Sequence, residues 1–143
     1  MQTLDTAYRA TFLDAYLTCA LWASSDTVDT GNGEPEEVNL DELGREKLHP
    51  SVTEQAAKDC EAFIDANAAD LLAANDLYVS RDGYTGPDLA GHDFWLTRNG
   101  HGAGYWDRGL EEVGERLTAA CGWRTAFPGV DLYIGDDGMI YAN

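Results

Sequence analysis

Between His92 and Arg108 the chain reads HDFWLTRNGHGAGYWDR, gathering two of its three histidines, two of its four tryptophans and two Asp and two Arg residues. Glycines stand at 100, 102 and 104. One chemistry open to such residues is metal-assisted hydrolysis. His92, His101 and Asp107 are competent ligands, Asp93 could join them, and a turn at Asn99-Gly100 would bring His92 towards His101. His92, Asp93 and His101 are then the catalytic candidates. Their spacing matches neither HExxH nor a paired Cys/His zinc pattern. A second chemistry is anion binding: Gly102 and Gly104 precede a predicted helix, and Arg98 and Arg108 carry forks suited to phosphate or carboxylate. The pattern is GxGxG, however, without the spacing of a dinucleotide or P-loop fingerprint. Nucleophilic catalysis has less to work with, since the segment holds no Ser or Cys and Thr97 has no evident base. A structural reading competes with each of these. The arginines can pair with Asp93 and Asp107, the imidazoles can pack on Trp95 and Trp106, and the glycines can permit close backbone approach.

The surrounding elements would have to position those residues. Leu4, Tyr8, Phe12 and Tyr16 step by four, and Leu13, Leu17, Ala20 and Leu21 widen the apolar face, predicting a helix over 3–23. Asp5 and Arg9 are spaced to pair along it. Residues 24–39, rich in Ser, Gly and Glu, read as a loop, and a short helix is expected over Asp41–Lys47. His49-Pro50 breaks it. Ser51 and Glu54 form a capping-box pattern for a helix running to about Ala74. Ala56, Cys60, Phe63, Ile64 and Leu71 make its inner face, and Glu54, Lys58, Glu61 and Asp65 its outer one. A loop follows over Arg81–Gly91. Asp93–Arg98 then reads as a strand, and Asp107–Cys121 as a third long helix with Arg108 facing water and Gly122 as its stop. Val130–Ile134 and Met139–Tyr141 flank Gly135-Asp136-Asp137-Gly138, a hairpin signal. The expectation is one domain over 1–143, an α+β fold with about three main helices on a small, mostly antiparallel sheet.

Composition narrows the function classes. The 143 residues carry 26 acidic against 9 basic side chains, a formal charge of −17. That balance disfavours direct grip on nucleic acid, which needs clustered Lys and Arg, and docking on anionic membranes. No apolar run approaches the ~18 residues of a membrane span, and the N-terminus lacks the pattern of a secretory signal. Cys19, Cys60 and Cys121 are odd in number and far apart, so they read as reduced core thiols.

At HDFWLTRNGHGAGYWDR the chain resembles a family of small, uncharacterised bacteriophage and prophage proteins. The resemblance extends to the helix over 109–120, to VDLYIGDDGMIY near the end, and upstream to DCEAFIDAN, Asp59–Asn67. It departs over Leu77–Leu89 and at CGWRTAFPG before the last hairpin. The resemblance brings no established activity or catalytic residues. It implies a phage origin and action in the host bacterial cytoplasm.

Acidity in such a setting suggests mimicry of nucleic acid. A globule of this size exposes roughly 7,000 Å², so the net charge averages about one per 400 Å² against roughly one per 100 Å² for duplex DNA. Mimicry therefore requires clustering, and Glu34, Glu36, Glu37, Glu54, Glu61 and Asp65 are the candidate contacts. The expectation is an accessory protein, without a cofactor and more a binder than an enzyme. Its partner would be a host protein, in the mimicry version a basic, nucleic-acid-handling or defence factor. The alternative is a small metal-dependent hydrolase or phosphate- or nucleotide-binding protein using residues 92–108.

Overall fold

The first helix, α1 (Thr6–Trp22), begins where the Asp5 carboxylate accepts the Tyr8 N–H at 2.9 Å. It buries Tyr8, Phe12, Tyr16, Leu17, Cys19, Ala20 and Leu21, the wide apolar face that the spacing predicts. In the computed structural model, which describes residues 4–29, 31, 33–78 and 84–143, β1 (Ser25–Asp29) and β2 (Pro35–Asn39) follow as an antiparallel hairpin. Then come α2 (Pro50–Ala66), α3 (Ala68–Leu77), α4 (Gly86–Arg98), α5 (Glu112–Ala119) and a second hairpin, β3 (Leu132–Ile134) with β4 (Ile140–Ala142). Short 3-10 turns occupy Leu40–Glu42, Arg45–Lys47 and Tyr105–Asp107. The class is α+β as expected. The described residues hold five α-helices rather than three, and two separate two-stranded sheets rather than one.

The largest correction concerns Asp93–Arg98, which is the buried end of helix α4 and not a strand. Every residue from Asp93 to Arg98 is buried, so no polar face survives to reveal a helical period. The start signal was nevertheless present: Pro87 sits in the first turn, and the Asp88 carboxylate accepts both the Thr85 N–H (2.8 Å) and its hydroxyl (2.7 Å). The loop expected over Arg81–Gly91 is therefore helical from Gly86, and residues 81–83 lie outside the described ones. Gly91 fixes where α4 crosses α1, because a Cβ there would overlap the Phe12 carbonyl.

Other boundaries move for identifiable reasons. Residues 24–39 form the first hairpin, with Thr30 and Asn32 outside the described residues. Asp26 anchors it to the last hairpin by accepting the Ile134 N–H at 2.7 Å. Gly44, at φ +91, splits the short helix expected over Asp41–Lys47 into two turns. The α2 cap is His49, whose Nδ1 accepts the Ser51 N–H at 3.2 Å, in place of a Ser51–Glu54 box. Asn67 then breaks the long helix into α2 and α3. Gly109 (φ +71) and Glu111 (φ +58) likewise interrupt the third helix, leaving only Glu112–Ala119. Gly122 does not end it but opens a turn, donating to the Phe127 carbonyl at 2.9 Å.

An aromatic stack forms the core. Phe63 of α2 lies parallel to Phe94 of α4 at 4.1 Å and to Tyr105 at 6.0 Å, and Phe127 meets Phe63 and Phe94 edge-on. The segments Asp59–Asn67 and His92–Arg108 thus pack on each other, and Phe127 seals them. Cys19 and Cys60 are buried in this core and Cys121 packs half-buried against it, all as free thiols.

Candidate functional site

Helices α1 and α4 meet closely at Gly91, and residues of both line a cleft of about 780 Å³. Asp14, Thr18 and Trp22 line it from α1, and Asp88, Leu89 and His92 from α4. Cys19, Tyr78 and Asp93 also line it, as do Asp107 and Arg108 from the stretch after α4 and Asp41 and Arg45 from the chain leading to α2. Its volume lies within the range of ligand pockets, and so does its mixture of aromatic wall and converging polar groups.

Asp93 organises the cleft. Its side chain is only 2% exposed, and burying a carboxylate is costly unless its oxygens are satisfied. Arg108 supplies a fork, with Nε at 3.1 Å and Nη2 at 2.9 Å from Oδ1, while the Tyr78 hydroxyl donates to Oδ2 at 2.8 Å. The hydrogen bond to Asp93 raises the Arg108 pKa above its ordinary value, so the guanidinium stays charged. Burial, and then the neighbouring Asp93 charge, push the Tyr78 phenol upward, which keeps its proton on the donor. The same two causes push the Cys19 thiol up to about 12, so it lines the cleft as a protonated group and not as a nucleophile.

At the α1 wall, Arg45 reaches across the cleft edge to Asp14 Oδ1 (3.0 Å) and Thr18 Oγ1 (3.2 Å). Asp107 accepts the Gly104 N–H at 3.0 Å and stands 3.7 Å from Arg108. Trp22 is 59% exposed, Tyr84 is 56% exposed, and the His92 ring lies 6.0 Å from that of Trp22.

Of the candidates in the 92–108 segment, the structure gathers His92, Asp93, Asp107 and Arg108 around one cleft. It does not gather the others there. His101 is exposed, and no trio of His, Cys, Asp or Glu among the described residues could hold a metal ion. His92 Nδ1 stands 3.9 Å from Asp93 Oδ1, beyond hydrogen-bond reach. The arginines pair, though not as the simplest local reading has it. Arg108 takes Asp93 instead of facing water, and Arg98 points to the opposite side of α4. There Arg98 is buried, donating to Asp59 (2.9 Å), the Tyr16 hydroxyl (3.0 Å) and the Pro128 carbonyl (2.8 Å). Both arginines of the segment are therefore already paired with carboxylates. Gly104 is buried where a Cβ would stand 2.5 Å from Thr97 Oγ1, so it serves close packing, whereas Gly102 is exposed with open space about it. The segment that follows Gly104 is a three-residue turn, not a helix that could cradle phosphate.

Much of the segment is occupied in holding the fold. Thr97 Oγ1 accepts the Tyr105 N–H, the Tyr105 hydroxyl donates to the Ala90 carbonyl, and Asn99 Oδ1 accepts the Val130 N–H. The acidic candidates divide into two groups. Glu61 and Asp65 both bind Arg9 at 2.7 Å, which takes Arg9 away from the Asp5 pairing that its spacing suggested. With Lys58 also on that outer face, the α2 stripe is largely neutralised; Glu54 remains exposed. Glu34, Glu36 and Glu37 sit exposed on or beside β2, with Glu37 accepting the Ser25 hydroxyl. From Ser24 to Gly44 the chain has seven acidic residues and no basic one.

Trp22, Tyr78, Tyr84 and Arg45 are among the cleft residues that sequence reasoning missed. Trp22 was legible in principle, as a large aromatic at the end of a helix whose apolar face is already filled. No family model, curated protein or solved structure matches this chain. Among the described residues no helix is long and apolar enough to cross a membrane.

Proposed function

We propose that this chain is an acidic phage accessory protein that acts in the host bacterial cytoplasm by binding and modulating a host protein, with the α1–α4 cleft as its recognition site. One observation carries the reading. The 92–108 segment brings the buried Asp93, bonded to the Arg108 fork, into the wall of a large cleft whose rim exposes Trp22 and Tyr84. Exposed aromatics beside fixed polar groups are the composition of binding hot spots. The chemistry of the lining supports binding: the Cys19 thiol is protonated, and the Arg45 and Arg108 forks are paired with carboxylates.

The test is affinity capture from host lysate with the wild-type chain and with a Trp22→Ala/Tyr84→Ala double variant. Both rings are more than half exposed, so the variant keeps its fold. A specific protein is expected on the wild type and absent from the variant. Equal capture by the two removes the cleft as the recognition site.

Nucleic-acid mimicry is a second reading, favoured by the base-free acidic stretch over 24–44. Its centre moves from α2 to the first hairpin, since Arg9 covers Glu61 and Asp65. The surface of 8245 Å² dilutes the net charge further than the sequence-based figure.

A further inference from the structure

We infer that the cleft takes the guanidinium of an arginine side chain presented on a basic segment of the partner protein. This rests on the functional reading above and gives it a ligand chemistry.

Charge sets the sign of the ligand. Five aspartates line the cleft against two arginines. Arg45 is bound to Asp14 and Arg108 to Asp93, so an anion would have to displace an existing ion pair to gain a donor. A neutral apolar occupant would strip water from carboxylates and return no hydrogen bond. A cation meets neither cost. Asp88 and Asp107 are engaged by Thr85 and Gly104, whereas Asp41 is exposed and has no hydrogen-bond or ion-pair partner among the described residues.

The shape of the cation follows from the walls. Trp22 and Tyr84 expose aromatic surface at the rim, and a planar, weakly hydrated guanidinium gains from stacking on such rings where a compact ammonium gains less. The protein already seats one guanidinium on this wall. Arg45 divides its Nη atoms between Asp14 and Thr18, two residues one helical turn apart on α1. An incoming arginine would lay its guanidinium against the exposed rings at the rim, with Asp41 as its own counter-charge. A cleft of about 780 Å³ exceeds a single side chain, which is why the ligand is an arginine within a segment and not a free amino acid.

The experiment titrates the full-length chain with the blocked tripeptide acetyl-Gly-Arg-Gly-amide and with its neutral isostere carrying citrulline. Amide and indole NMR shifts report the site. Saturable binding that moves the Trp22 indole is expected for the arginine peptide, at least about tenfold weaker for citrulline. A loss of about the same size is expected in Asp41→Asn, and in Trp22→Ala, with unchanged far-UV circular dichroism. Equal affinity for the two peptides, or inorganic phosphate saturating the same resonances, overturns the guanidinium assignment. So does the absence of any saturable shift in Trp22 or the cleft amides. If cleft-dependent capture of a host protein persists while the peptides do not differ, the recognition site stands and the guanidinium assignment alone falls. If the peptides differ but capture ignores the cleft, the assignment stands and the functional reading fails.

Discussion

Asp93 is where one side chain controls most of the candidate site. It holds Arg108 by two nitrogens and Tyr78 by its hydroxyl, and these come from opposite sides of the sequence. Asp93→Asn should leave Arg108 with only the looser Asp107 carboxylate, 3.7 Å away, as counter-charge. Because Arg108 is 33% exposed and can rehydrate in part, the expected loss is about 2–4 kcal/mol, toward the lower side of the range for broken buried pairs. Urea denaturation measures it, and a change below about 0.5 kcal/mol, the level of an ordinary surface substitution, would mean the pair is not structural. At this scale the sequence was partly readable. His92, Asp93, Asp107 and Arg108 stood out by type and crowding, and they do share a cleft. Their partners did not stand out, because Trp22 lies about seventy residues upstream of His92 and nothing local marks it, or Tyr78 for Asp93, as a neighbour.

Gly91 sets the crossing of α1 and α4, and the cleft opens beside that crossing. Alanine is the better helix former by about 1 kcal/mol, so propensity alone predicts that Gly91→Ala stabilises. Overlap of the new methyl with the Phe12 backbone carbonyl reverses the sign, since backbone cannot rotate aside as a side chain can. A net loss of about 2–3 kcal/mol is expected in thermal or urea unfolding, and an unchanged or raised melting temperature would show that the helices are not in close contact there. Elements were legible where one face is wet and illegible where none or both are. Ala56, Cys60, Phe63 and Ile64 of the expected inner face are buried in α2, with Val52 added and Leu71 passing to α3, because Lys58 and its acidic neighbours mark the outer face. Helix α4 passed for a strand because its last six residues are buried on all sides. The first hairpin passed for a loop because β2 exposes Pro35, Glu36 and Glu37 in a row, leaving no alternation to detect.

For the molecule as a whole, buried phenols set the response to alkali. Four of the seven tyrosines, Tyr8, Tyr16, Tyr78 and Tyr105, have pKa values raised above 10, with burial the largest cause in each. A group whose pKa is raised in the folded state contributes its full stability below the unfolded value and loses it as pH climbs beyond. Stability should therefore be flat in these groups up to about pH 10 and fall above it by roughly 1.4 kcal/mol per pH unit for each buried phenol. Tyrosinate absorbance and near-UV circular dichroism should then change together in one cooperative step. Gradual ionisation of those four with tertiary signal intact would contradict the burial. The order of the elements has a further consequence, in time. The α1 face carrying Phe12 and Tyr16 is completed by Phe94 and Trp95. On a ribosome adding about 5–20 residues per second, the stretch from Trp22 to Arg98 takes roughly 4–15 s. For those seconds the nascent chain carries a largely apolar helix without the one that covers it, a window in which chaperones would meet this protein before any partner does.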